Sequence, residues 1–216
     1  MRQLLYILFI ILNTLLVPTV MAQDESDAFL FNEFKEASIY FSYNSISVEK
    51  VNYNVREKVL YFFDREDSVI KVASNTEQIK LIKVDNRNFI LVKGALQEVL
   101  PTTPPIYVEY VIKVQTKAKD VGYGTKSQTA SATSYTIVGQ GGYLMPDFQK
   151  MEIKGFYNHY WIERNGDKKK FTSFKQLLKL YPKHKKILEG SIKDSNIDFN
   201  DVEAIVNLCL YAESLS

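Results

Sequence analysis

From Ser38 to Gln115 the chain repeats one unit seven times: a run of five to ten residues rich in Val, Ile, Tyr and Phe, then a break of turn-forming residues. The runs are Ser38 to Tyr43, Ser47 to Tyr53, Lys58 to Phe63, Ser68 to Ala73, Ile79 to Val84, Asn88 to Val92 and Ile106 to Gln115. β-Branched and aromatic side chains suit a pleated, half-buried surface, and strands at such short spacing pair with their sequence neighbours. The pattern predicts an antiparallel β-meander that curls into a small barrel or sandwich. Gly94 to Leu100 reads as a turn and short helix, and Pro101, Pro104 and Pro105 then stop any regular element.

Beyond residue 150 the pattern changes. Met151 to Phe156 reads as a strand, and Tyr160 to Lys168 as a hairpin about Asn165-Gly166, the dipeptide favoured where both central residues need positive φ. Phe174, Leu177, Leu178 and Tyr181 fall at helical spacing, Pro182 separates them from a second helix running from Lys183 to about Lys193, and a third helix starts at Asn200 as N-cap with Glu203 in the capping-box position. The third carries Val202, Ile205, Val206, Cys209 and Leu210 on its apolar stripe, which makes Cys209, the only cysteine, a core residue. The fold class expected is α+β: the meander, a hairpin, and a C-terminal three-helix segment packing on the same domain.

Residues 1 to 22 read as a signal peptide: Met1-Arg2-Gln3, the apolar run Leu4 to Val17, and the small-residue junction Val20-Met21-Ala22. The run is shorter than the roughly 20 apolar residues that span a bilayer. The mature chain is expected to begin near Gln23, to have no transmembrane segment after cleavage, and to be periplasmic or extracellular. It divides into a strand-rich region, 23 to 121, a Gly/Ser/Thr-rich loop or long hairpin, 122 to 143, and the hairpin and helices, 144 to 216. With a single cysteine no intramolecular disulfide forms, so the core must stabilise the fold.

The Gly-rich segment invites a phosphate-binding reading, and its spacing rejects it. With Gly124 as the last glycine of a P-loop, Thr125 intrudes before Lys126, and Lys119 stands where the first glycine belongs. Gly139-Gln140-Gly141-Gly142 lacks the third glycine of a dinucleotide fingerprint. Asp194 to Asn200 opens like a calcium loop, but has Phe199 and Ile205 where glycine and glutamate are required. His159 and His184 are too far apart to form a zinc pair or triad by spacing. No catalytic, cofactor or metal residue is assigned, and no nucleic acid partner is expected.

Binding has better candidates. Tyr160 and Trp161 belong to an aromatic run facing Lys168, Lys169 and Lys170 across the hairpin, and Lys185 and Lys186 extend a basic block. Lys150 to Lys193 holds twelve Lys or Arg against four acids, whereas Asp194 to Ser216 holds five acids and no base. Such a block suits an anionic glycan, a lipid surface or an envelope protein, while alternate aromatics of the same strand suit the core.

Several phrases together resemble a family of secreted Bacteroidetes proteins of unknown function: Val51-Asn52-Tyr53-Asn54-Val55, Asn86-Arg87-Asn88-Phe89 with Gly94 to Leu100, Gly122 to Ser127, and Leu178 to Lys186 continuing into Asn196-Ile197-Asp198-Phe199. Asp67-Ser68-Val69 also resembles the O-glycosylation sequon of that phylum. The resemblance implies a strand-rich module with a helical C-terminus and supplies no activity. The function expected is a non-enzymatic, envelope-associated binding or interaction module; the competing reading is an envelope hydrolase of glycan or peptide whose carboxylates meet only in the fold.

Overall fold

The computed structural model describes residues 28–116, 119–120, 126–127 and 151–216. The segments read as a signal peptide and most of the Gly-rich segment lie outside the described residues.

Seven of the eight strands before residue 117 fall where the hydrophobic runs place them: β1 (Lys35–Phe41), β2 (Ile46–Asn54), β3 (Val59–Asp64), β4 (Val69–Val72), β5 (Ile79–Val84), β6 (Arg87–Val92) and β8 (Ile106–Thr116). The eighth is a correction. Ala95–Leu100, expected as a turn and helix, is strand β7, hydrogen-bonded to β6 on one side and β8 on the other. Its Ala, Leu, Gln and Glu favour helix in isolation; two neighbouring strands offering paired backbones override that propensity.

Two dipeptide strands, β9 (Lys119–Asp120) and β10 (Lys126–Ser127), form a separate antiparallel pair. The two pieces expected between residues 151 and 164 are one long strand, β11 (Met151–Arg164), with a register shift between Ile153 and Gly155. Gly155 has φ +135°, a conformation that L side chains rarely adopt, so glycine permits the bulge. β12 (Asp167–Phe171) follows through Asn165 and Gly166, both at positive φ as the turn chemistry predicts.

All ten long strands join in one antiparallel sheet of order β12-β11-β8-β7-β6-β5-β1-β2-β3-β4. The meanders β1–β4 and β5–β8 are zipped together by the β1–β5 pair. Alternate residues turn inward and build a first core from Ile39, Val51, Tyr53, Leu60, Ile82 and Phe89, among others. The sheet curves enough for β2 to meet the β6–β7 turn: the Tyr53 hydroxyl donates to Gly94 O at 3.0 Å and accepts from Leu96 N at 3.2 Å. Burial pushes this phenol far above its ordinary range, so it stays protonated and keeps both bonds. Tyr53→Phe is expected to lower stability by about 1–2 kcal/mol, read as a shifted urea midpoint with unchanged slope.

Three C-terminal helices cover the other end of the same sheet face: α1 (Phe174–Leu180), α2 (Lys185–Asp194) and α3 (Val202–Ser214). A 3-10 turn, Pro182–His184, joins the first two. Leu177, Leu188, Ile205, Leu208 and Cys209 close a second core over Ile106, Val108, Tyr160, Ile162 and Phe171. The cap of α3 is Asp201, whose carboxylate accepts from Ala204 N at 3.0 Å, one residue beyond the Asn200 expected. Asn200 instead serves the sheet, accepting from Asn158 N at 3.3 Å through its side chain and from Asn158 Nδ2 at 2.9 Å through its carbonyl. Among the described residues no helix is long and apolar enough to cross a membrane.

Candidate functional site

The two faces of β11 divide the aromatic run between them. Even-numbered Tyr160 and Ile162 point under the helices and are fully buried. The Tyr160 ring stacks on Phe171, and its hydroxyl donates to Phe199 O at 2.9 Å while accepting from Asn158 Nδ2 at 3.1 Å. Tyr160 is therefore a core residue, and Trp161, half-buried, is on the opposite face.

Register then decides what Trp161 meets. Directly opposite residues share a face, so Trp161 aligns with Tyr107 and Lys170, Glu163 with Lys168, and His159 with Glu109, which in turn aligns with Gln97 of β7. Lys168 Nζ sits 3.3 Å from the centroid of the Tyr107 ring, and Lys170 Nζ sits 4.8 Å from that of Trp161. The negative face of each ring attracts the ammonium above it. The Tyr107 hydroxyl donates to Glu163 Oε2 at 2.6 Å; burial and that carboxylate push the phenol up to about 12. Among the described residues neither lysine is within ion-pair distance of a carboxylate, whereas Lys169, on the other face, pairs with Asp167.

Two residues further along the same strands and face lies a largely buried polar cluster. Glu109 Oε1 is 3.4 Å from Lys58 Nζ, and its Oε2 is 3.7 Å from His159 Nδ1, too long for a hydrogen bond. Burial pushes the Glu109 carboxyl up, but His159, Lys58 and Lys170 outweigh it and hold it below the ordinary carboxylate range. Nothing local in the sequence links residues 58, 109 and 159; the β8–β11 register and the β2–β3 turn bring them together.

The other sequence candidates go elsewhere. Lys185 and Lys186 are exposed on α2, across the sheet from Trp161, and Lys185 is 3.6 Å from Glu189. The basic block is thus two surfaces. Cys209 is fully buried, and its thiol is pushed up to about 12 by burial, which leaves it protonated and unreactive. Among the described residues no group of three His, Cys, Asp or Glu is placed to hold a metal ion. Ser68 sits exposed in the β3–β4 turn with φ 55°.

A cleft of about 720 Å³ opens where the two cores meet, between α3 and the β6–β8 part of the sheet. Arg87 holds Glu98 there through two hydrogen bonds, Nε to Oε1 at 2.9 Å and Nη2 to Oε2 at 2.7 Å. Tyr110 joins them, its oxygen accepting from Arg87 Nη2 at 2.8 Å while its hydroxyl donates to Glu98. The ion pair fastens β6 to β7 and ties both to β8.

Comparison with known proteins returns no matching family model, no matching curated protein and no matching solved structure.

Proposed function

We propose that this protein is an exported, non-enzymatic binding module of the cell envelope, and that it holds an anionic glycan on the face carrying Trp161, Lys168 and Lys170. The observation that carries the reading is the pair of ammonium groups seated over Tyr107 and Trp161. A ring beneath each lysine restricts its rotamers, so less freedom is lost when an anion binds. The half-exposed Trp161 beside them supplies an aromatic surface against which a sugar can pack. The N-terminal run of residues 4 to 17 supports export, and the curvature that brings Tyr53 to the β6–β7 turn supports a small barrel or sandwich for the first meander.

The competing hydrolase, built on converging carboxylates, needs one carboxyl group held protonated near working pH to act as general acid. The two buried glutamates favour binding over that alternative: Arg87 grips Glu98 bidentately, and Lys58, Lys170 and the neighbouring His159 hold the Glu109 carboxyl below the ordinary carboxylate range.

The test uses residues 23–216 and immobilised polygalacturonate as the anionic probe, with neutral dextran as control. Lys168→Ala/Lys170→Ala is expected to weaken retention on polygalacturonate by about tenfold, and added salt to do the same. Lys185→Ala/Lys186→Ala is expected to leave it unchanged. Equal loss from both pairs, or equal retention on dextran, overturns the assignment.

A further inference from the structure

We infer that the cleft beside α3 is a second binding site, taking an uncharged, mostly apolar small molecule with a carbonyl or hydroxyl oxygen at one end. Its volume of about 720 Å³ lies within the range of small-molecule sites, roughly 300–1,000 Å³. The walls come from separate parts of the chain: Leu30 ahead of β1, Leu100 at the end of β7, Phe156 on β11, and Val202 and Val206 on α3. Those two valines lie one helical turn apart and are only partly buried, while Ile205, Leu208 and Cys209 of the same helix fill the core. Phe156 stays 40% exposed. These walls therefore retain apolar area that a ligand removes from water.

The polar end of the site selects the charge of the ligand. Glu98 neutralises Arg87 through the bidentate contact, so neither a carboxylate nor an ammonium finds an uncompensated partner there, and Glu203 at the rim further disfavours an anion. Arg87 is held rigidly, its guanidinium 4.9 Å from the Phe89 ring and 5.5 Å from that of Tyr110. Of the five N–H donors of a guanidinium, Nε–H and both on Nη2 serve Glu98 and Tyr110. Nη1 keeps two donors that no described residue accepts, and a neutral oxygen can take them without breaking the ion pair.

The probe is 6-propionyl-2-(dimethylamino)naphthalene, a neutral fluorophore with one carbonyl, titrated with residues 23–216. The expected result is a saturable blue shift that Val206→Trp weakens by at least about tenfold by filling the cleft. Phe156→Ala removes an exposed wall and is expected to weaken binding several-fold, a second reading if the tryptophan variant fails to fold. Lys168→Ala/Lys170→Ala leaves this binding unchanged, which separates it from the glycan face. Val206→Trp is also expected to spare any binding of the anionic 8-anilinonaphthalene-1-sulfonate. An absent or non-saturable blue shift, full binding by a folded Val206→Trp protein and by Phe156→Ala, or parallel loss of both dyes overturns the inference.

Discussion

Phe171→Ala is expected to cost about 3–5 kcal/mol. Phe171 is fully buried at the end of β12, where the sheet hands over to the helices. Its ring stacks on Tyr160 with centroids 5.4 Å apart and meets the edge of Phe199 at 6.3 Å, while Phe199 in turn touches Phe174 at 5.1 Å. Removing it leaves a cavity among rings fixed by other bonds, notably the Tyr160 hydroxyl on Phe199 O, so the site cannot collapse to fill the space. Urea unfolding followed by far-ultraviolet dichroism should show a lowered midpoint with little change in slope. A loss below about 1 kcal/mol would mean that the aromatic cluster is loosely packed.

Glu109→Ala is expected to cost about 1–3 kcal/mol near neutral pH, because it leaves Lys58 Nζ without its carboxylate partner beside a largely buried space. Its pH dependence has a definite sign. The folded-state carboxyl is held below its ordinary 4.5, so the wild-type protein gains stability from this group above the unfolded value and loses it as pH falls through the lower folded value. Glu109→Gln should therefore flatten the acid limb of the stability curve below about pH 4.5 and leave the shape above pH 6 to other groups. An acid limb identical to wild type would show that Glu109 is not held ionised by its neighbours.

Much of the fold was legible because local chemistry and tertiary pairing agree. Ile79–Val84 has the boundaries that its Ile, Leu and Val spacing marks, and Asn165-Gly166 turns where its backbone preference says. β7 is not legible because the two disagree: Ala95, Leu96, Gln97 and Glu98 are helix formers placed between two strands. Asn200 and Asp201 are both competent caps, and only the position of Asn158 assigns one to the sheet and the other to the helix. The same limit governs the site. Tyr160 and Trp161 are neighbours of similar chemistry, and the parity of a strand makes one a core residue and the other half-exposed. Lys168 and Lys170 were visible as charges, but their seats over Tyr107 and Trp161 depend on partners reached only through register. The lysines of α2 form one block with them in sequence but not in space, because a charge run carries no information about which side of a sheet each member reaches.

The division of the interior into two cores also divides the chain by sequence. The first cluster draws its fully buried members from residues 37 to 114, whereas the second has only Ile106 and Val108 from that stretch and otherwise needs residues 160 to 212. A chain delivered from its N-terminus can close the first core while the C-terminal helices are still arriving, and those helices then find a preformed template of two strands. Among the described residues β8 is the one strand that lends buried residues to both interiors, and through it the two cores are joined.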